Sequence, residues 1–392
     1  MTGSVLSLAT LYPNAAQPTF GAFVARQMEA LAARRDWRVD VVNPIGLPPM
    51  PTGRYAALAR AAVGGAEGGV SVHRPQFTLV PSLSARWNPM LIARAVLPLA
   101  RRLHAETPYD LVDAQFFYPD GPAAARIARA LGLPLSIKAR GGDIHHWGAR
   151  RFARRRMLDA AAQAAGLLAV SQALAADMVA LGMPAGKITV HYTGLDRTAF
   201  HPRDRRGARA ELAATLGVPD DGALLATVGA LVPRKGQALA VRALARLAPD
   251  VRLAVAGAGP AEASLRRLAR ELGLADRVHF LGSLPHDRLP TLLAGADAMV
   301  LPAASEGLAN AWVEALACGT PIVIAEAGGA REVVKSPQAG RIVARDPAAI
   351  AAAIDELLAT SLDQTAVAAA VARFSWEANA AALAEYYEQL IA

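Results

Sequence analysis

Cysteine is almost absent from this sequence, since Cys318 is the only one in 392 residues. A single cysteine excludes an internal disulfide and any metal site built from several cysteines. Aromatic residues are also few, at 5% of the chain, and alanine supplies much of the 53% hydrophobic content. A chain of this length still has enough apolar residues for two or three domains with sizeable cores.

Long apolar runs are missing as well. No stretch approaches the roughly 18 uninterrupted apolar residues that a membrane-spanning helix needs. The N-terminus has no basic segment followed by an apolar one, so we expect no signal peptide. Together with the lack of cysteine, these absences predict a reduced, cytoplasmic protein.

Basic residues outnumber acidic ones, 41 to 33, which gives a formal net charge of +8 and a pI near 10.0. Such an excess predicts an anionic partner without identifying it. Because the sequence has no aromatic-interleaved basic stripe and no recognised binding motif, we expect no nucleic-acid partner. An anionic membrane surface and a phosphorylated substrate remain as alternatives.

The first half of the chain alternates apolar strands with helices. Apolar residues at Val5–Leu8 and Val39–Val42 flank a helical pattern, and this order predicts a parallel α/β sheet. Ligands in such sheets bind beyond the carboxyl ends of strands. The turn-rich loop that ends at Phe20 and Gly21 is therefore a candidate ligand-binding loop, although a plain connection would have the same composition.

A second polar, glycine-bearing loop follows the predicted strand Leu135–Ile137. In this loop Arg140 suits a phosphate, and Asp143 or a histidine could act as a base or hold a hydroxyl group. The adjacent His145 and His146 have no set of acidic partners nearby in the sequence, so we expect no metal site there.

Two segments suggest contact with a membrane. Residues 86–103 mix apolar and basic side chains like an amphipathic surface helix, with Pro98 interrupting it. Five arginines lie between positions 150 and 156. Each segment has an ordinary alternative, which is a core-facing helix for the first and a solvated basic face for the second.

Proline, arginine and aspartate interrupt the α/β pattern over residues 197–221, which we predict to be a linker between domains. A second α/β half begins with the strand Leu224–Val228, and another predicted strand, Val278–Gly282, follows later in it. The lone Gly-x-Gly at Gly257 is weak support for a dinucleotide site, because Pro260 replaces the expected pattern.

The most distinctive stretch is 305–321. It follows an apolar run that predicts a buried strand, and it combines a loop containing Glu306 with a helix over Asn310–Cys318 that carries Glu314. Glu306 and Glu314 are eight residues apart, which at about 1.5 Å per residue is on the order of 12 Å. This is about the reach from the sugar to the ribose of a nucleotide sugar. The N–H groups at the helix start suit a phosphate. By itself, the stretch is equally consistent with a buried βαβ unit that carries two solvated glutamates.

Several of these features resemble one known family. The order Glu306, seven residues, Glu314, then Ala315-Leu316-Ala317-Cys318-Gly319-Thr320-Pro321 is similar to the hallmark of the group 1 glycosyl transferases. Gly328-Gly329-Ala330-Arg331-Glu332 resembles the family's Gly-Gly-x-x-Glu segment, and Val228-Gly229 with Lys235-Gly236-Gln237 resembles its phosphate-binding loop. Similarity to members that build bacterial surface polysaccharides is carried by Pro13-Asn14, residues 18–24 and Tyr118-Pro119-Asp120-Gly121. The resemblance covers nearly the whole chain.

The resemblance implies the GT-B fold, an α/β architecture in which two Rossmann-like domains face each other across a cleft. The acceptor domain would comprise residues 1–196 and the donor domain residues 222–375. A C-terminal helix within residues 376–392 would pack back on the acceptor domain.

The resemblance also implies roles for single residues. The catalytic set would be Lys235 and Arg234, which neutralise the donor diphosphate, and Glu306, which holds sugar hydroxyls. Donor contacts would come from Gly229, Leu281, Leu308, Ala309, Asn310 and Glu314, the last of these on the ribose diol. Acceptor contacts would come from Phe20, Gly21, Arg140 and Asp143.

The implied reaction is retaining transfer from a nucleotide sugar to a carbohydrate acceptor, lipid-linked, in polysaccharide biosynthesis. It uses no protein-bound metal and no other cofactor, and the enzyme would attach peripherally to the inner membrane face. A GT-B-fold sugar-nucleotide epimerase and a non-catalytic nucleotide-sugar-binding subunit are the alternatives.

Three positions depart from the family pattern. Ala230 stands where an arginine usually follows the loop glycine, Arg140 stands where many members have histidine, and Leu308-Ala309 replaces the commoner Phe-Gly. We expect Arg234 to take over the role of the missing arginine at 230.

Overall fold

The computed structural model describes residues 3–81, 83–360 and 362–392. The chain divides into two compact units. The first unit comprises Met1–Gly194 and Trp376–Ala392, and the second comprises Leu195–Ser375. Residues 197–221, the predicted linker, therefore lie within the second unit.

The described strands and helices alternate along much of both units, as the sequence predicts for an α/β protein. The strands are β1 (Gly3–Leu8), β2 (Trp37–Val42), β3 (Ile45–Leu47), β4 (Gly65–Glu67), β5 (Val70–His73), β6 (Gln76–Thr78), β7 (Leu111–Ala114), β8 (Leu135–Ala139), β9 (Gly166–Ala169), β10 (Ile188–Val190), β11 (Leu224–Val228), β12 (Arg252–Ala256), β13 (Val278–Gly282), β14 (Ala298–Leu301), β15 (Ile322–Ala325) and β16 (Gly340–Val343). The helices are α1 (Ala22–Ala33), α2 (Arg54–Arg60), α3 (Asn88–Glu106), α4 (Asp120–Leu131), α5 (Arg151–Gln163), α6 (Gln172–Leu181), α7 (Arg205–Leu216), α8 (Gln237–Leu244), α9 (Glu262–Glu271), α10 (Leu289–Gly295), α11 (Asn310–Ala317), α12 (Ala330–Val333), α13 (Pro347–Leu358), α14 (Gln364–Ala369) and α15 (Trp376–Ile391).

An eight-stranded sheet forms the centre of the first unit, in the order β10-β9-β8-β7-β1-β2-β5-β4. Its neighbouring strands are parallel except β4 and β5, and β3 pairs separately with β6. The strand order reverses between β1 and β7, and such a switch point leaves a crevice at the carboxyl ends of the strands. The loops that follow β1, β7 and β8 begin at this edge.

The second unit has a fully parallel six-stranded sheet, in the order β13-β12-β11-β14-β15-β16. Numbered within the unit, this is the 3-2-1-4-5-6 order of the doubly wound dinucleotide-binding fold. Its switch point lies between β11 and β14. The loop that starts at Gly229 follows β11, and the loop that contains Glu306 follows β14.

The central strands of the second unit are buried along their whole length, as in β11, β14 and β15. Strands covered on both faces need apolar residues at every position, which is why they appear in the sequence as continuous apolar runs. The short continuous apolar runs of the sequence therefore located these strands correctly.

The C-terminal helix α15 packs on α1 within the first unit. Its Leu383 and Tyr387 join the core of that unit, and the Tyr387 ring centroid lies 5.4 Å from that of Trp37.

Helices α3 and α7 lie in the two segments predicted as a surface helix and as a linker. Helix α3 continues through the exposed Pro98. Because its Ile92 and Val96 are buried, most of the helix is a core-facing helix, the alternative to a membrane-contacting one. Helix α7 lies in the predicted linker and packs on α10, where Arg209 donates a 2.9 Å hydrogen bond to the Gly295 carbonyl. None of the described helices is long and apolar enough to cross a membrane.

Candidate active site

Three charged side chains meet beyond the carboxyl ends of β11 and β14 in the second unit. Lys235 Nζ lies 2.6 Å from Glu306 Oε1, and Arg234 Nη1 lies 3.5 Å from the same oxygen. Arg234 also donates a 2.9 Å hydrogen bond to the Ser305 carbonyl. Glu306 is only 8% exposed, whereas half of the Arg234 side chain is exposed. Two cations around one carboxylate leave a net positive charge that can stabilise an anion.

Close backbone approach brings the two loops of this cluster together. The Ala304 N–H donates a 2.7 Å hydrogen bond to the Arg234 carbonyl. Gly236 follows the cations with φ +78°, and a Cβ there would lie 2.3 Å from the Pro302 carbonyl oxygen. Only glycine combines that backbone angle with that contact, so Gly236 fixes where Lys235 points.

The Gly328-Gly329 pair supports the Glu306 loop from the other side. A Cβ at Gly328, whose φ is +49°, would lie 2.2 Å from the Glu306 carbonyl oxygen. The Gly329 N–H donates a 2.8 Å hydrogen bond to the Gly307 carbonyl. This segment therefore acts as a backbone support for the loop.

The Gly-x-Gly motif also has a structural explanation. A Cβ at Gly257 would lie 2.0 Å from the Gly229 carbonyl oxygen, and a Cβ at Gly259 would lie 2.4 Å from the Leu231 carbonyl oxygen. Gly229 itself adopts φ +142°, and a Cβ there would lie 3.8 Å from Lys235 Cε. The two glycines thus let the loop after β12 pack against the loop that carries Lys235.

The other predicted donor-binding residues lie on neighbouring elements. Leu308 and Ala309 are buried in the loop before α11, and Asn310 begins that helix. The Ala309 side chain has no acceptor atom, so it does not cap the N–H groups at the start of α11. Leu281 is half-buried on β13, at the edge of the sheet.

Glu314 has a partner, His286, that no motif in the sequence indicates. His286 Nε2 lies 3.4 Å from Glu314 Oε1, and the Phe200 ring packs edge-on against the His286 ring at 5.0 Å. Burial, and next the charge of Glu314, raise the pKa of the Cys318 thiol to about 12. The single cysteine is therefore a protonated core residue at neutral pH.

In the first unit, Gly21 and Phe20 lie where α1 begins. Gly21 has φ +73°, and a Cβ there would lie 2.4 Å from the Leu11 carbonyl carbon, so this glycine permits a close turn. Phe20 is 44% exposed. Of these two residues, Phe20 is the one that offers a side-chain surface to a ligand.

Arg140 directly follows β8 and its side chain is held by groups from two segments, α1 and the residue after β7. Its Nε donates a 3.2 Å hydrogen bond to the Gln115 carbonyl, and its Nη2 donates to the side-chain oxygens of Gln27 and Gln115. The guanidinium lies 4.9 Å from the Phe23 ring centroid. Burial lowers the Arg140 pKa to about 10, so it remains a cation at neutral pH.

Asp143 is fully buried, and its carboxylate is used within the loop. It accepts hydrogen bonds from the N–H groups of Phe117, Arg140, Gly141 and Ile144, at 2.8 to 3.1 Å. Burial raises its pKa. The carboxylate thus holds the backbone at Arg140, and the acceptor contact that the resemblance implies for Asp143 stays a prediction.

Beneath Arg140 lies a buried polar network that the sequence did not reveal. Lys138 is fully buried in β8, and its Nζ lies 2.7 Å from Gln27 Oε1 and 2.6 Å from His191 Nδ1. His191 Nε2 lies 2.9 Å from the Asn379 carbonyl, which can only accept. His191 is therefore neutral with its proton on Nε2, and Nδ1 accepts from Lys138. Burial lowers the pKa values of both side chains.

The adjacent His145 and His146 are candidate metal ligands by residue type alone. His145 Nε2 lies 2.9 Å from Asp177 Oδ2. Within residues 3–81, 83–360 and 362–392, no group of three or more His, Cys, Asp and Glu side chains is placed to hold a metal ion.

Comparison with known proteins shows the family to which this chain belongs. Residues 208–387 match the family described as Glycosyl transferases group 1, and residues 21–199 match Glycosyltransferase Family 4. D-inositol 3-phosphate glycosyltransferase 2 of Catenulispora acidiphila is 34% identical over 319 residues, which are 74% of this chain and 73% of that protein. The chain belongs to the group 1 glycosyl transferases. The family predicted from residues 305–321 is thus confirmed.

Other relatives of this group 1 glycosyl transferase match over a shorter length. D-inositol 3-phosphate glycosyltransferase of Mycobacterium leprae (strain Br4923) is 39% identical over 219 residues. That match covers 52% of this chain and 50% of the mycobacterial protein, so the chain spans about half the length of that relative.

Solved structures show the fold of this group 1 glycosyl transferase. Anabaena Alr3699/HepE, crystallised with UDP and glucose, matches with a TM-score of 0.75 and 23% identity, over 98% of both chains. Sucrose-phosphate synthase from Thermosynechococcus elongatus matches with a TM-score of 0.78 and 23% identity, over 99% of both chains. The chain therefore has the predicted GT-B fold with two Rossmann-like α/β domains.

Proposed function

We propose that this group 1 glycosyl transferase moves a sugar from a nucleotide-sugar donor to a carbohydrate acceptor with retention of anomeric configuration. The observation that carries the proposal is the meeting of Arg234, Lys235 and Glu306 at the switch point of the second unit. In the reaction, the bond from the sugar C1 to the β-phosphate oxygen breaks, and a bond to an acceptor oxygen forms on the same face. The nucleoside diphosphate and the acceptor's proton are released.

The second unit supplies the donor contacts. Lys235 and Arg234 stabilise the charge that develops on the leaving diphosphate, a kind of contribution whose loss typically costs about 10²–10³ in rate. Glu306 accepts hydrogen bonds from sugar hydroxyls, and the N–H groups at the start of α11 face the sugar and phosphate. Glu314, with two acceptor oxygens, suits the ribose diol. No metal or other cofactor is required in this scheme.

The first unit supplies the acceptor contacts, with Phe20 and Arg140 as the exposed ring and the fixed cation. The proposed acceptor is a lipid-linked oligosaccharide in polysaccharide biosynthesis, used at the cytoplasmic face of a membrane. The net charge of +8 supports an anionic surface or substrate. A phosphorylated cyclitol is a second candidate acceptor, because the Catenulispora relative is called a D-inositol 3-phosphate glycosyltransferase.

The test is a transfer assay over common nucleotide sugars, with lipid-linked oligosaccharides and D-inositol 3-phosphate as separate acceptors. NMR of the product identifies the anomer, and an inverted product refutes retention. A chelator should leave the rate unchanged. Conversion of the donor with no acceptor present indicates an epimerase, and donor binding without turnover that Glu306→Gln leaves unchanged indicates a binding subunit.

A further inference from the structure

A groove of about 410 Å³ lies in the first unit between the start of α3, α4 and α5. Buried Pro122, Ala125 and Ala160 contribute apolar atoms to its lining. Its other lining residues include Trp87, Met90, Arg126, Arg129, Arg156, Asp159 and Gln163. The groove thus joins the two segments that the sequence singled out separately, residues 86–103 and the arginine run at 150–156.

One side of the groove is apolar and exposed. Trp87 is 45% exposed and Met90 is 46% exposed, and Leu83, in the turn just before α3, is 69% exposed. Farther along α3, Ile92 and Val96 are buried and the leucines are half-buried. Large apolar side chains concentrated at one exposed helix start are characteristic of a binding surface, and tryptophan favours the boundary between water and lipid.

The other side of the groove is cationic. Three arginines and one aspartate line it, which leaves +3 − 1 = +2 in formal charge. Arg126 and Arg129 are exposed on one face of α4, and α5 continues the basic surface with exposed Arg151, Arg154 and Arg155. Guanidinium groups bind phosphate oxygens in pairs of hydrogen bonds.

We infer that this groove binds the phosphodiester headgroup of an anionic membrane phospholipid, with Trp87 and Met90 entering the acyl region beside it. The apolar side and the cationic side match the two parts of such a lipid, and charge complementarity selects an anionic headgroup over a zwitterionic one. The inference rests on the membrane-bound acceptor of the proposed function, and it names the surface that contacts the membrane.

The first test measures binding of the full chain to phosphatidylcholine vesicles with and without phosphatidylglycerol, by sedimentation at low salt. The wild type should bind the anionic vesicles, and Arg126→Ala/Arg129→Ala should lower the partition coefficient about 30-fold. Arg242→Ala/Arg270→Ala removes two exposed arginines from the second unit and is the matched charge control. Equal loss in both double variants, or no loss in the groove variant, overturns the inference. Release of the protein from vesicles by inorganic phosphate, but not by sodium chloride of equal ionic strength, also overturns it, because the groove then binds a soluble anion.

The second test uses brominated phosphatidylglycerol, which quenches tryptophan that enters the acyl region. Trp37 and Trp312 are buried and Trp147 and Trp376 are half-buried, whereas Trp87 is 45% exposed, so Trp87 should account for most of the quenching. Trp87→Phe should bind vesicles yet lose that quenching, and unchanged quenching in this variant contradicts the inference.

Activity separates this inference from the proposed function. The groove variants should keep the wild-type rate of transfer to a water-soluble acceptor. Transfer activity without any preference for anionic vesicles overturns the lipid site alone. Vesicle binding through the groove without any transfer overturns the proposed function and supports the lipid site.

Discussion

Lys235 Nζ and Glu306 Oε1 form an ion pair of 2.6 Å that joins the loop after β11 to the loop after β14. Both partners are largely buried, with 14% and 9% of their side chains exposed. Removing Glu306 leaves the largely buried Lys235 charge without this partner, whereas removing Lys235 leaves Glu306 with only the longer contact to Arg234.

The first prediction concerns the cation of this pair. Lys235→Ala should lower kcat by about 10²–10³, because the leaving diphosphate loses a preorganised charge. The measurement is steady-state transfer, with donor affinity determined separately by calorimetry. Arg246→Ala, an exposed arginine just beyond α8, is the control and should behave as wild type. A Lys235→Ala variant with unchanged kcat would remove Lys235 from the catalytic set.

The second prediction concerns the support of the Glu306 loop. Gly328→Ala should lower activity at least about tenfold and destabilise the fold, because its Cβ would lie 2.2 Å from the Glu306 carbonyl oxygen. Gly273→Ala is the matched control, since Gly273 also has a positive φ, of +69°, but nothing lies within 4 Å of the added Cβ. The control should lose about 1–2 kcal/mol of unfolding free energy and keep its activity. Thermal unfolding and transfer assays on both variants provide the measurements. Equal activity in the two variants would refute the prediction that Gly328 supports the Glu306 loop.

The third prediction concerns Arg140. Arg140→Lys should lower kcat by about 10–100-fold, because an ammonium cannot contact Gln27, Gln115 and the Phe23 ring at the same time. The acceptor KM should rise with it if Arg140 contacts the acceptor. Arg94→Lys, an exposed arginine on α3, is the control. Steady-state kinetics at varied acceptor concentration make the measurement, and wild-type kinetics in Arg140→Lys would show that the fixed guanidinium is dispensable.

The fourth prediction concerns pH. Asp120 is fully buried at the start of α4 and accepts hydrogen bonds from the N–H and hydroxyl of Thr10, and burial raises its pKa from 3.8 to about 7. Between these values the folded chain keeps a proton that the unfolded chain releases. This group therefore makes the free energy of unfolding fall as pH rises from about 4 to 7.

Asp120→Asn removes this titration. The unfolding free energy of the variant minus that of the wild type should rise with pH, by at most about 1.4 kcal/mol per pH unit across that window. Urea unfolding at several pH values provides the measurement, and Glu385→Gln, on the exposed side of α15, is the control. A difference that stays flat from about pH 4 to 7 would contradict the raised pKa.

Much of the fold was predictable because the second unit has a parallel sheet with buried strands. The predicted strand Leu224–Val228 matches β11 at both ends, and the predicted helix over Asn310–Cys318 differs from α11 by one residue. The first unit was harder between residues 45 and 78, where β3, β4, β5 and β6 are only three or four residues long. Such short strands carry too few residues for a periodic signal.

The sequence alone determined the α/β class, the family and the loops that follow the strands, because apolar runs and glycine positions are local properties of the chain. Only the tertiary structure decided which side chains meet. It paired Lys235 with Glu306, gave Glu314 the partner His286, and buried Lys138 and Asp143 in roles of support. These contacts join segments far apart in the chain, and the strand order that brings them together is set by packing of the whole sheet.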